Sequence, residues 1–250
     1  MQFIGIIPAR YGSGRFPGKP LAKVLGRTMI SRVYEQASRC QLLSEVVVAT
    51  DDRRILNHVN TFGKAVMTRK EHESGTGRCL EAFDLINHDK RYTENDCIIN
   101  IQGDEPFIDP GQITMLAGML KVPGRSIVTL ARKISDSSRV NDPNTVKVVI
   151  SASGRALYFS RSPIPYIRAD QGSSAKDIVF YSHIGLYGFR AGTLREIESL
   201  PWSSLEQAEK LEQLRWLQQD HEIFVEETYT ESLSVDTPAD LMAINNAQTK

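Results

Sequence analysis

The sequence predicts an α/β fold: a mainly parallel sheet flanked by helices, with a β-rich insertion. Two observations predict it. Short runs of β-branched and aliphatic residues alternate with stretches of helical spacing through the first half of the chain. After about residue 140 that alternation gives way to longer strand-like runs with turn signals. Strand-helix alternation implies β-α-β units, hence parallel pairing, and such sheets bind ligands at the carboxyl ends of their strands.

Each element follows from its local pattern. Phe3–Pro8, Glu45–Thr50, Cys97–Ile101 and Ser126–Leu130 are continuous apolar runs of strand length, as strands buried on both faces require; Ala65–Met67 is a weaker one. Helical spacing predicts helices over Met29–Ser38, Arg53–Phe62, Arg78–Ile86 and Pro110–Leu120. Asp51 is placed to cap the second of these, and Pro110 suits a first turn. Strands are expected at Asn144–Ser151, Arg155–Ser160 and Ile184–Arg190, with turns at Gly154 and across Pro163–Pro165. Ala169–Lys176 is polar and is expected to form a mobile loop. An amphipathic helix over Leu205–Gln219, a strand at Ile223–Glu227 and a helix opened by Thr237–Pro238 complete the chain.

At 250 residues this is one domain with a sizeable insertion: a core over about 1–140 and 192–250, and the insertion over about 141–191. The hydrophobic share of 41% and charged share of 24% are those of a globular protein. Zero formal net charge gives no global attraction to nucleic acid or an anionic membrane. Three scattered cysteines, none in a C-x-x-C pair, point away from a disulfide framework or zinc site and towards a reducing compartment. No apolar stretch approaches bilayer length, so a soluble, cytoplasmic protein without nucleic-acid or membrane partners is expected.

The first strand runs into Pro8-Ala9-Arg10-Tyr11-Gly12-Ser13-Gly14-Arg15-Phe16-Pro17-Gly18-Lys19-Pro20. The glycine-to-lysine spacing does not fit a Walker A loop, and Pro17 stands where a dinucleotide fingerprint needs glycine. What remains is a Pro-stiffened, Gly-rich loop with Arg10, Arg15 and Lys19 close together. Exposed backbone amides beside three cations match a triphosphate better than they match a plain basic turn. Asp104 follows another apolar strand, and Asp236 comes from the far end of the chain. Two carboxylates suit a Mg²⁺ ion that takes its other ligands from phosphate and water. The alternatives are that Asp104 starts a turn before Pro106 and that Asp236 caps the last helix. Ser74-Gly75-Thr76 equally suits a helix cap or a nucleotide contact.

Ala9-Arg10 with Ser13-x-Arg15-x-Pro17-Gly18-Lys19-Pro20 resembles the signature loop of cytidylyltransferases that activate acidic sugars, most closely those acting on 3-deoxy-D-manno-octulosonate (KDO). The resemblance continues through Ala49-Thr50-Asp51, Met67-Thr68-Arg69 with His72-x-Ser74-Gly75-Thr76, Asn100-x-Gln102-Gly103-Asp104-Glu105-Pro106, Tyr158-Phe159-Ser160-Arg161-x-Pro163-Ile164-Pro165, His183-Ile184-Gly185-x-Tyr187, Leu211-Glu212-Gln213-Leu214-Arg215 and Val235-Asp236-Thr237-Pro238. It implies a Rossmann-like nucleotide-binding core and transfer of CMP from CTP to the sugar. CTP contacts are implied at Pro8, Ala9, Arg10, Ser13, Arg15, Lys19, Arg69, Ser74, Gly75 and Thr76. Sugar contacts are implied at Gln102, Arg161, His183, Tyr187, Glu212 and Gln213. Catalysis is implied for Arg10, Arg15, Lys19 and Asp104, with Mg²⁺ on Asp104 and Asp236, in a homodimer. The resembling loop carries an acidic residue where this chain has Gly77.

Overall fold

A computed structural model describes residues 1–12, 14, 16–168, 178–231 and 233–247. The expected loop at Ala169–Lys176 lies outside the described residues, as do Ser13 and Arg15.

The strands are β1 (Phe3–Ala9), β2 (Lys23–Val24), β3 (Arg27–Thr28), β4 (Leu43–Thr50), β5 (Ala65–Met67), β6 (Cys97–Asn100), β7 (Ile127–Lys133), β8 (Lys147–Ile150), β9 (Ala156–Ser160), β10 (Tyr181–Arg190) and β11 (Ile223–Glu227). The helices are α1 (Met29–Ser38), α2 (Arg53–Val59), α3 (Gly75–Ile86), α4 (Pro110–Leu120), α5 (Ser138–Asn141), α6 (Ala191–Glu198), α7 (Ser204–Glu209), α8 (Gln213–Gln218) and α9 (Pro238–Ala247).

The main sheet runs β11-β7-β10-β6-β1-β4-β5. The pairs β1/β4, β1/β6, β4/β5 and β7/β11 are parallel, whereas β10 pairs antiparallel with both β6 and β7. The parallel strands therefore share one carboxyl edge, where Ala9, Thr50 and Asn100 end β1, β4 and β6. Residues of β1 and β6 are almost wholly buried, as their unbroken apolar runs require. One core layer packs α3, α6 and α8 against one face of the sheet; the other packs α1, α2 and α4 against the opposite face. No helix among the described residues is long and apolar enough to cross a membrane.

Three expectations change. The helix expected over Leu205–Gln219 is two short helices, because Lys210 adopts a left-handed conformation (φ 54°, ψ 46°) between them. Asp52, not Asp51, caps α2, its carboxylate accepting from the Arg54 amide; Asp51 instead pairs with buried Arg78 at 2.9 Å. The strand expected at Ile184–Arg190 starts at Tyr181 and lies in the middle of the main sheet. Only β8 and β9 form a hairpin beyond it, attached to the first residues of β10. The eight-residue helix α6, which follows β10 directly, had no separate signal of its own.

Candidate active site

A cleft of about 250 Å³ opens at the carboxyl edge, lined by Pro8, Ala9, Arg10, Lys19, Pro20, His72, Glu73, Ser74, Gly75, Arg78, Gln102, Gly103, Asp104 and Asp236. β1 delivers Pro8 and Ala9 and releases the chain into the Arg10 loop. That loop is folded back by a hydrogen bond from the Gly18 amide to the Tyr11 carbonyl (2.9 Å), so that Lys19 begins a 3₁₀ turn facing the cleft.

The Lys19 ammonium donates to Asp104 at 2.8 Å and lies 3.5 Å from Asp236. The two carboxylates come from distant segments, held together by a hydrogen bond from the Val235 amide to the Asp104 carbonyl (2.9 Å). The helix-capping alternative for Asp236 is taken by its neighbours. The Asp240 amide donates to Thr237 Oγ1, while the Asp240 carboxylate accepts from the Asp236 and Thr237 amides. The Asp236 side chain is thereby left facing Lys19. A pair of carboxylates already converging on one cation fits a Mg²⁺ ion, which needs only one or two protein carboxylates. Among the described residues no group of three or more His, Cys, Asp or Glu is placed to hold a metal.

Ser74 takes the capping role, its hydroxyl accepting from the Gly77 amide (3.0 Å) at the head of α3, and the residue also lines the cleft. Thr76 turns away and donates to Glu212 at 2.7 Å. Arg69 is exposed, paired with Glu81, and does not line the cleft.

Of the residues expected at the sugar, Gln102 lines the cleft and donates to the Gly185 carbonyl at 2.7 Å. The others are not among the residues that line the cleft, although Glu212 lines the cavity beside it. His183 is half-buried, hydrogen-bonded to Thr129 Oγ1 at 3.0 Å and packed edge-on against Phe159; the loss of hydration pushes its pKa down to about 3, so the ring is neutral. Tyr187 packs against Phe189 and Trp216, and its hydroxyl is buried without a hydrogen-bond partner among the described residues. Arg161 spends its guanidinium on the carbonyls of Glu209, Pro143 and Lys210. Glu212 accepts from Thr76 and Arg215, and Gln213 is buried at the start of α8.

His72, Glu73, Arg78, Pro20 and Gly103 line the cleft without having been singled out from sequence. His72 is hydrogen-bonded to Glu81, and Arg78 donates to Thr68, Arg69 and Asp51 from a buried position. Pro20, His72 and Gly103 stood in motifs that offered a signal; the burial of Arg78 arises from tertiary packing. At Gly77 a carboxyl group is present after all: it is that of Glu198, whose Oε2 would lie 2.6 Å from a Cβ at this position.

Residues 4–224 match the cytidylyltransferase family. A 3-deoxy-manno-octulosonate cytidylyltransferase of Cytophaga hutchinsonii is 47% identical over 249 residues, covering 98% of this chain and 97% of that one. Its counterpart in Parabacteroides distasonis is 49% identical over 247 residues, covering 96% of each. Among solved structures, a CMP:2-keto-3-deoxy-manno-octonic acid synthetase complexed with CTP superposes with a TM-score of 0.89 at 42% identity, covering 100% of this chain and 99% of that one. A 4-diphosphocytidyl-2C-methyl-D-erythritol synthase from Anaerococcus prevotii, at 14% identity and a TM-score of 0.61 (100% and 99% covered), shares the fold.

Proposed function

Because the chain belongs to the cytidylyltransferase family, we propose that it transfers CMP from CTP to the anomeric 2-hydroxyl of KDO, giving CMP-KDO and pyrophosphate. The observation that carries this reading is the convergence of Asp104 and Asp236 on Lys19, beside Arg10, in a cleft at the carboxyl edge of the sheet. Near-full-length identity of 47% to a KDO cytidylyltransferase supports the choice of substrates.

The 2-hydroxyl oxygen bonds to the α-phosphorus in line as the bond to the β-phosphate breaks; the hydroxyl proton is released and pyrophosphate leaves. Arg10 and Lys19 face the departing phosphates and stabilise their growing charge. Asp104 and Asp236 would hold Mg²⁺, which would supply neutralising charge to the phosphates. Gln102 orients the sugar from the cleft wall. The unpartnered Tyr187 hydroxyl and the Glu212 carboxylate supply polar groups for sugar hydroxyls. Arg161 is assigned to the sugar carboxylate, a role it takes up by exchanging backbone carbonyls for that anion. We place the enzyme in the cytoplasm, as a homodimer that activates KDO for lipopolysaccharide synthesis.

The test is a product assay with four nucleoside triphosphates crossed against KDO, a sialic acid and neutral hexoses, with Mg²⁺ present. CMP-KDO and stoichiometric pyrophosphate are expected only from CTP with KDO. Efficient turnover of a neutral hexose, or none with CTP and KDO, rejects the reading.

A further inference from the structure

A second cavity, of about 350 Å³, adjoins the cleft and shares His72, Glu73 and Ser74 with it. Its wall holds three carboxyl groups around one guanidinium. Arg215 lies 3.2 Å from Glu212, 3.5 Å from Glu206 and 3.9 Å from Glu198. These side chains are mostly withdrawn from solvent, with exposures of 9% for Arg215, 7% for Glu206, 18% for Glu198 and 23% for Glu212. Elsewhere around them stand His72, Glu71 and Glu73 from the loop before α3, Lys210 from the α7–α8 junction, and the Cys79 thiol of α3. One guanidinium cannot neutralise three buried carboxylates, and a buried carboxylate without counter-charge takes up a proton.

Distance from the guanidinium says which one. Glu212 accepts from the Thr76 hydroxyl at 2.7 Å and from Arg215 at 3.2 Å, both of which favour its ionised form. Glu206 Oε2 and Glu198 Oε1 are both buried without a hydrogen-bond partner among the described residues. Burial raises the Glu206 pKa, but Arg215 at 3.5 Å opposes the rise, whereas Glu198 stands farthest from Arg215, at 3.9 Å. Glu198 reaches from the end of α6 into space kept open by Gly77, and it approaches the same Arg215 nitrogen as Glu212, at 3.9 and 3.2 Å, so that the two carboxyl groups are neighbours.

We propose that Glu198 is a positioning residue: its carboxyl group keeps a proton at neutral pH, donates it to Glu212, and thereby fixes the Glu212 carboxylate for a hydroxyl of the acid sugar. This rests on the assignment of Glu212 to the sugar. Burial first, and then Glu212, push the Glu198 pKa up to about 8. Above that pH the donor is lost and a second charge appears beside Glu212, so sugar binding weakens as pH rises. The sign for folding agrees. The folded chain holds a proton that the unfolded chain gives up near 4.5, so this group's stabilising proton is fully in place below that pH. The contribution is lost as pH rises towards 8.

The experiment measures KM for KDO and for CTP separately from about pH 6 to pH 9.5, in wild type, Glu198→Ala and Glu198→Gln. The wild-type KM for KDO is expected to rise above pH 8, approaching about tenfold per unit, with KM for CTP steady. Glu198→Ala raises KM for KDO about tenfold at pH 7. Glu198→Gln, which keeps an N–H donor, rescues that loss and flattens the pH profile. An unaltered pH-dependent rise in Glu198→Gln overturns the proposal. Infrared spectra of the unliganded protein at pH 7 separate it from the reading beneath it. A protonated-carboxyl band that disappears in Glu198→Gln is expected, and its absence from wild type overturns the proposal irrespective of sugar. If the band is present yet Glu212→Ala leaves KM for KDO unchanged, the assignment of Glu212 to the sugar is what has failed.

Discussion

Lys19 bridges two carboxylates drawn from distant segments of the chain, and this arrangement explains both what was readable in the sequence and what was not. An apolar strand followed by a polar, Gly-bearing turn marks a sheet's ligand edge, so the positions of Lys19 and Asp104 were legible as local patterns, whereas Asp236 suited a helix cap as well and was singled out through the resemblance. His183 and Tyr187 were named from resemblance, but their place outside the cleft's lining goes with packing against Phe159, Phe189 and Trp216, which no local pattern encodes. The Asp51 and Asp52 roles exchanged because a buried guanidinium, Arg78, claims the first carboxylate and leaves the second for the helix cap. Lys19→Ala is expected to lower turnover by roughly 10²–10³-fold, the scale for losing one pre-organised donor to transition-state charge. Asp104→Asn and Asp236→Asn should nearly abolish it and weaken Mg²⁺ binding measured by titration with CTP present. Wild-type rates in Lys19→Ala would remove the loop from the chemistry; unchanged metal affinity in both asparagine variants would remove the carboxylates from the metal.

Among the elements, long apolar runs and Asp109-Pro110 at the head of α4 made most boundaries legible, because each is set by residues within a turn of it. The break between α7 and α8 was not legible. Helical spacing continues across Lys210 with no glycine or proline, yet Arg161 binds the carbonyls of Glu209 and Lys210 and stabilises the left-handed turn from outside the helix. Tertiary hydrogen bonds here outweigh helix propensity. That break carries Glu212 to the head of α8, within reach of Thr76. β10 shows the opposite dependence, on space rather than on hydrogen bonds. A Cβ at Gly188 would meet Leu120 and Val128 at 2.9 Å and Ile99 at 3.1 Å. Gly188→Ala is therefore expected to cost about 1–3 kcal/mol by overpacking, read as a lower denaturant midpoint at unchanged slope. An unaltered midpoint would mean that α4 and the sheet part easily.

At the scale of the molecule, the α/β class was legible from alternation alone, but strand order was not, since periodicity says nothing about which strands become neighbours. In the β-rich segment Phe159 is spent in the core and Tyr158 and Tyr181 pack partly against it, while Leu157 (58% exposed) and Tyr166 (87%) face outward. The proposed homodimer is tested by sedimentation equilibrium at micromolar concentration, where about twice 28.0 kDa is expected and a 28.0 kDa species alone rejects it. The central position of β10 bears on how the chain is made. β6 and β7 are consecutive in the main sheet's chain path yet never pair; each pairs with β10. During synthesis, every strand of both half-sheets except β11 has emerged before Tyr181–Arg190 does. The nascent chain therefore waits with two open edges that only a late segment can join, and until the ribosome has delivered that segment the protein has halves but no whole.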